Sequence, residues 1–381
     1  MTRLQGDWFR TASVQQLAHI FFRAGFALHF VGGCVRNDLM GEPISDLDLS
    51  TNALPDQVLK LAGSAGLKAV PTGIEHGTIT VVVDGEGFEI TTYRKDVETD
   101  GRRAVVAFAS TMEEDAHRRD FTMNALYADA EGRVIDPLDG LPDLLARRVR
   151  FIDNAGQRIR EDYLRILRFF RFHAWYGDVA EGPDVEALSA IAENLGGLGA
   201  LSKERVGAEM RKLLSAPDPA PSVALMSSCG VLGSVLPGAE ATYLAVLVHL
   251  EGNRAPDPMR RLAILGGEAP EDRLRLSRKE ARRYAVLREQ MGASTSLSEL
   301  AYRDGADIAH DVALLRAAMM GQALLPDTEN LISRGACAVF PVKPADLMPD
   351  YTGPELGAHI KTLEARWIAS GFTLTREDLL K

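Results

Sequence analysis

Two aspartates one residue apart, Asp46 and Asp48, sit in the run Ile44-Ser45-Asp46-Leu47-Asp48-Leu49-Ser50, and twelve residues separate Asp46 from the pair Gly32-Gly33. On an extended strand, residues i and i+2 point to one face, so the carboxylates are expected side by side, with Leu47 and Leu49 buried opposite. Such a pair can share divalent ions. Two Mg²⁺ held in this way activate an attacking hydroxyl and neutralise a triphosphate during in-line displacement. A Gly-Gly turn from strand into helix lets a phosphate approach backbone N–H groups at the helix N-terminus. Arg36, one turn into that helix, adds a charge-assisted contact. Taken singly, a solvated strand end and a commonplace turn explain each feature; the combination is more specific.

The elements that must position these residues follow from local pattern. Ala27–Val31 reads as a strand, Gly32-Gly33 turns the chain into a helix ending near Gly41, Asp46–Ser50 is the next strand, and Pro55 opens another helix at its first turn. Thr78–Val83 and Phe88–Tyr93, joined by Asp84-Gly85-Glu86-Gly87, form a β-hairpin pattern. From about Pro142 strand signals stop and helical periodicity runs to the C-terminus, with breaks at Gly196–Ser202, Ala216–Pro221 and Gly252–Pro258. The expectation is an α+β chain, a mixed or antiparallel sheet followed by helices. Its 381 residues exceed what one hydrophobic core usually organises, about 250–300 residues.

Composition bounds the function. Hydrophobic residues make up 46% and charged residues 25%, the profile of an ordinary globular protein. No apolar run approaches the roughly 18 residues of a membrane span, and the opening MTRLQGDWFR lacks the apolar core of a secretory signal, so a cytoplasmic location is expected. Cys34, Cys229 and Cys337 are too few and too dispersed for a zinc cage or a disulfide framework. The net charge of −10 argues against a generally basic coat, yet Arg147 to Arg171 holds eight arginines against Asp153, Glu161 and Asp162. Polyanion contact is expected there.

The apolar-Gly-Gly, Asp-x-Asp combination resembles the nucleotidyltransferase signature of the DNA polymerase β superfamily. Further stretches narrow the likeness: TGIEHGTITVVV (Thr72–Val83), FEITTYR (Phe88–Arg94), EEDAHRRDFTMNAL (Glu113–Leu126), DPLDGLPDL (Asp136–Leu144), REDYLRILRFFRF (Arg160–Phe172) and SKERVGAEMRKLL (Ser202–Leu214). In that order they resemble class II tRNA nucleotidyltransferases, the bacterial CCA-adding enzymes and their poly(A) polymerase relatives. The likeness is dense over Phe30–Leu214 and thinner through LRLSRKEARR (Leu274–Arg283) and PADLMPDYTGPELG (Pro344–Gly357).

The resemblance implies a polymerase β-like catalytic head over 1–140, a helical neck over 141–215 that reads the base, and a helical body over 216–320 and tail over 321–381 that bind tRNA. It implies addition of C, C and A to the tRNA 3′ end from CTP and ATP, with two Mg²⁺ held by Asp46 and Asp48. Glu89 is a further candidate ligand, although an exposed strand acid explains it equally. Gly32, Gly33, Arg36 and Arg119 are implied to hold the nucleotide, with Arg168 and Arg171 contributing; an interdomain salt bridge is the plainer role for Arg119. The stretch Lys95–Ser110 is similar to the family's loop associated with moving from C to A addition. Two departures stand out. Asn37 occupies the place where the family commonly has Asp, which leaves that acid without an assigned role. The dipeptide His310-Asp311 resembles the signature of the HD phosphohydrolase domain that some relatives carry, but it reads as a chance dipeptide, because no histidine lies between His249 and His310 to complete a metal site.

The helix expected after Arg160 carries the base reader. At 100° per residue, Ile166, Leu167, Phe170 and Ala174 share one face, while Asp162, Arg165, Arg168 and Arg171 step by three along the other. A solvated face with an i,i+3 ion pair would account for the charges, but Phe169 and Phe172 lie on that same side. Cytosine and adenine each present an amine donor beside a ring-nitrogen acceptor, and uracil and guanine the reverse. A carboxylate acceptor beside an arginine donor, Asp162 with Arg165, therefore complements C and A and leaves unpaired groups against U and G. Alternatives are a poly(A) polymerase, an enzyme adding only C or only A, and an inactive tRNA- or nucleotide-binding protein; intact Asp46, Asp48, Asp162 and Arg165 speak against the last.

Overall fold

In a computed structural model the protein is described over residues 2–100, 103–348 and 350–381, and it divides into two compact units, Met1–Val235 and Leu236–Lys381. The first unit is built on a sheet of seven strands, and its alternation is the plainest signal in the sequence. In β4 (Thr78–Val83) Ile79, Val81 and Val83 are buried between threonines and Val82, which are partly exposed. In β5 (Glu86–Thr92) Phe88, Ile90 and Thr92 are buried while Glu89 faces solvent. Asp84 and Gly85 join the two strands with φ of 51° and 85°, the left-handed conformation that Asp-Gly supplies in tight hairpins.

Adding β1 (Leu28–Val31), β2 (Asp48–Thr51), β3 (Lys68–Gly73), β8 (Tyr127–Ala128) and β9 (Val134–Ile135) gives the order β3-β4-β5-β2-β1-β8-β9. β2 runs parallel to β5, with Asp48 opposite Glu89, and the remaining pairs are antiparallel. The sheet is mixed, as expected. β2 starts later than expected, because its pairing with β5 begins only at Asp48; Asp46 precedes the strand, and Leu47 is half-buried rather than buried. Helices α1 (Ala12–Arg23), α2 (Gly33–Met40) and α3 (Pro55–Ser64) bury Leu17 and Phe21, Val35, and Val58 and Ala62 respectively. Gly32 opens α2 at φ 72°, a backbone conformation that glycine adopts without the Cβ penalty of other residues.

The stretch Lys95–Ser110 is not a plain loop. β6 (Arg94–Asp100) and β7 (Arg103–Phe108) pair antiparallel as a separate ribbon; Gly101 and Arg102, at the centre of that stretch, lie outside the described residues. The run Ala104-Val105-Val106 carries strand propensity that explains β7.

Helices follow: α4 (Met112–His117), α5 (Leu141–Leu145), α6 (Ala155–Glu161), α7 (Leu164–Tyr176), α8 (Val185–Glu193) and α9 (Lys203–Leu214). The single helix expected through Asp162 is two. Asp162 is extended (φ −153°, ψ 104°), and its Oδ1 accepts the Leu164 N–H at 3.1 Å. A short carboxylate that bonds its own nearby backbone competes with the helix, and here it ends α6 and starts α7. The two phenylalanines on the charged side are core residues: Phe169 packs on Phe151 at 5.8 Å, and Phe172 packs on Phe121 at 5.0 Å. α7 is thus enclosed on more than its aliphatic face.

The second unit is helical. Its interior holds a charged cluster in which Arg260 binds Glu251 and Asp311 at 2.8 Å each, Arg261 binds Glu251, and Arg283 joins Asp311 and Asp257. Asp311 of the His310-Asp311 dipeptide is therefore a buried counter-ion of Arg260 and Arg283. No helix among the described residues is long and apolar enough to cross a membrane.

Candidate active site

The Gly32-Gly33 turn, Asp48 and the start of α7 meet at a cleft of about 340 Å³. Eight residues singled out in the sequence line it: Gly32, Gly33, Arg36, Asp48, Arg119, Asp162, Arg165 and Arg168. Asp48 also lines a neighbouring cavity of about 440 Å³ together with Asp46 and Glu89, and Glu86 is the fourth carboxylate there; no lysine or arginine lines it. A cationic cleft and an anionic cavity therefore join at one residue. Asp48 is exposed yet recessed between the two, and the partial loss of surrounding water raises its carboxyl above the ordinary range, Arg119 opposing this and Asp46 adding to it. Among the described residues, no three His, Cys, Asp or Glu side chains are gathered so as to hold a metal ion.

The arginines are fixed by partners that lie far away in sequence. Arg36 donates to Asn37 Oδ1, Asn124 Oδ1 and Tyr176 Oη, and stacks 4.0 Å from the Tyr176 ring centre. Asn37 is thus a ligand of the arginine it follows. The displaced acid, Asp38, is buried and ties down the N-terminal segment by accepting from the backbone N–H groups of Gln5 and Gly6 and from Trp8 Nε1. Arg119 donates to Asp115 at 2.9 Å and to Tyr127 Oη at 3.2 Å.

The base-reading pair is not one ion pair, as i,i+3 spacing on one helix suggested. Because Asp162 lies outside α7, its Oδ2 accepts from Arg205 of α9 at 2.6 Å, and Arg165 instead binds Glu161 at 2.6 Å. Both still line the cleft. Arg171 does not line it; its Nε binds Glu209 at 2.6 Å and its guanidinium lies 4.5 Å from the Phe172 ring centre. Within the basic stretch Arg147 to Arg171, Arg150 likewise binds Asp143, Arg158 binds Glu161 and Arg168 binds Asp120.

Residues 28–150 match the family model described as Poly A polymerase head domain, and residues 183–242 match Probable RNA and SrmB-binding site of polymerase A. The mitochondrial CCA tRNA nucleotidyltransferase 1 of Mus musculus is 34% identical to this chain, across 99% of the chain and 92% of the relative. The CCA-adding enzyme of Geobacillus thermodenitrificans is 32% identical, across 91% of this chain and 89% of its own length. The chain belongs to the CCA-adding tRNA nucleotidyltransferase family. The crystal structure of the Bacillus stearothermophilus CCA-adding enzyme in complex with CTP agrees in fold, with a TM-score of 0.76 at 26% identity over 96% of this chain and 94% of that one.

For a CCA-adding nucleotidyltransferase, the residues that sequence reasoning missed are the ones that hold the arginines: Asp115, Asp120, Asn124, Arg205 and Glu209. Asp120 is the clearest. Its carboxylate accepts from the Phe121 N–H, Asn124 Nδ2 and two nitrogens of Arg168. Burial alone would raise its pKa, but Arg168 and these hydrogen bonds hold it down from 3.8 to about 2. A carboxylate with a depressed folded pKa stabilises the fold fully above its unfolded pKa and loses that contribution as the pH falls through the folded value. Asp120→Asn is therefore expected to be less stable than the native protein at pH 7, by roughly 2 kcal/mol. The gap should narrow between pH 4 and pH 2 in urea unfolding; a gap that stays constant with pH would contradict the assignment.

Proposed function

We propose that the protein is a template-independent tRNA nucleotidyltransferase that adds C, C and A to the tRNA 3′ end from CTP and ATP, releasing pyrophosphate. The observation that carries this reading is the single cleft in which a glycine turn, Asp48, Arg119 and the pair Asp162 and Arg165 come together. The triphosphate lies against the Gly32-Gly33 turn, with Arg36 and Arg119 supplying charge. Asp46 and Asp48 would hold Mg²⁺, and the carboxylate oxygens that line their cavity, with no lysine or arginine among them, suit that hard ion. When bound, two Mg²⁺ supply Lewis-acid assistance to the tRNA 3′-hydroxyl and to the departing pyrophosphate. Glu89, beside Asp48 in the sheet, faces the same cavity and is the next carboxylate available to the ions.

Asp162 accepts from the exocyclic amine of C or A, and Arg165 donates to the ring nitrogen. Arg205 and Glu161 keep the two side chains in place, and each carboxylate oxygen of Asp162 retains a second lone pair for the base. Arg168 and Arg171 border the base end through Phe172, whose ring lies 5.4 Å and 4.5 Å from their guanidinium carbons. In this reading residues 1–140 are the catalytic head, 141–215 the neck, and 216–320 and 321–381 the body and tail that grip the tRNA acceptor arm. Arg278, Lys279 and Arg282 are exposed at the start of the helix Arg278–Gly292 and are suited to phosphate contact, whereas Arg283 turns inward to Asp311. The exposed free thiol of Cys337 suits a reducing compartment such as the cytoplasm.

The test supplies one labelled nucleotide at a time, with Mg²⁺, to tRNA lacking CCA, to tRNA ending in C or CC, and to an unrelated RNA. C should enter the first two and A only the last tRNA, with binding that weakens steeply as salt rises. Long A tails on unrelated RNA would instead identify a poly(A) polymerase, incorporation of only one base a partial enzyme, and binding without incorporation an inactive relative.

A further inference from the structure

Asp115 in α4 is 1% exposed, yet its side chain receives four donors from three places in the chain. Oδ1 accepts from Arg118 Nε at 3.0 Å and from the backbone N–H of Arg94, the first residue of β6, at 3.1 Å. Oδ2 accepts from Arg119 Nη2 at 2.9 Å and from Tyr127 Oη on β8 at 2.8 Å. Tyr127 Oη in turn accepts from Arg119 Nε, so Arg119 is gripped along one edge of its guanidinium. Its Nη1 points the other way and lies 3.4 Å from where a Cβ on Gly32 would stand, beside the glycine turn of the cleft. Burial alone would raise the Asp115 carboxyl, but Arg119 and Arg118 outweigh it and hold the group well below the usual carboxylate range.

The other end of this carboxylate is anchored. Arg94 pairs with Phe108 at the base of the β6–β7 ribbon, and Arg94 Nη1 donates to the His76 carbonyl at 2.9 Å. The Phe108 ring lies 2.8 Å from where a Cβ on Gly77 would be, so the ribbon base packs on a turn that only a glycine fits, at φ 78°. We propose that Asp115 is a positioning residue for nucleotidyl transfer: it aims Arg119 across the Gly32 turn, with the first peptide of β6 as its fixed point. This rests on the reading that Arg119 contacts the bound nucleotide.

The test compares full-length Arg119→Ala, Asp115→Asn, their double variant and Asp162→Ala in steady-state CTP and UTP addition. Asp115→Asn should raise KM for both nucleotides by the same factor, about tenfold, the scale of one charge-assisted contact. The CTP-to-UTP preference should stay intact, unlike in Asp162→Ala, and the double variant should be no worse than Arg119→Ala. Amide exchange at Arg94 should accelerate in Asp115→Ala, which removes the acceptor, but not in Arg119→Ala. An unchanged KM in Asp115→Asn, a further loss in the double variant, or an Arg94 amide that stays protected in Asp115→Ala would each overturn the inference. A normal KM in Arg119→Ala would instead remove the nucleotide contact on which it rests. Should Asp115→Asn fail to fold, Tyr127→Phe carries the same comparison, since it removes one donor to Asp115 and one acceptor of Arg119; it should raise KM for both nucleotides equally, and an unchanged KM would overturn the inference.

Discussion

Asp48→Ala is expected to lower addition of every nucleotide by about a thousandfold or more, equivalent to roughly 4 kcal/mol of transition-state stabilisation, and to leave the fold intact. The size of the effect follows from position. Asp48 is the residue shared by the arginine-lined cleft and the carboxylate cavity, so no neighbour stands in the same place. The fold survives because Asp48 is exposed at the start of β2, and its raised pKa means that the site disfavours its charge. Single-turnover CTP addition and thermal unfolding, measured on the same preparation, check both halves. A variant that folds and keeps its rate would remove Asp48 from the chemistry.

The second large effect is expected of Asp162→Ala, on choice rather than rate. A site that hydrogen-bonds a base edge rejects the wrong edge by leaving buried groups unpaired, so the preference for CTP over UTP should fall by about a hundredfold. Triphosphate binding should change far less, because Arg36 and Arg119 are held by separate partners. Removing the carboxylate also takes away the Leu164 N–H acceptor and the Arg205 partner, at a stability cost of about 1 kcal/mol. Ratios of kcat/KM for the four nucleotides measure this. Equal losses for all four would contradict base reading.

The legible parts of the site are those fixed by local pattern. Gly32-Gly33 and Asp48 occupy the turn and strand that periodicity assigned them, and Ile79, Val81 and Ile90 alternate as a half-buried sheet requires. Asp162 was misplaced because a helical period cannot show a side chain capping its own backbone, which splits α6 from α7. Arg205 and Glu209 lie 43 and 38 residues from their partners, and only tertiary packing brings them there. The sequence did carry one usable signal: Phe169 and Phe172 on a charged face meant that the face was enclosed, so its arginines needed acids from elsewhere. Asp115 and Asp120 flank the Arg118-Arg119 pair, and that alternation of acids and arginines was the trace of the network that holds them.

In the proposed function one cleft chooses C and A in order and then stops. Sequencing the 3′ ends of tRNA lacking CCA after incubation with Mg²⁺ and equal concentrations of all four nucleotides tests it most directly. A single dominant product ending in CCA is expected, with U and G rare at every added position. Ends that carry runs of A, or the four bases in comparable amounts, would contradict it.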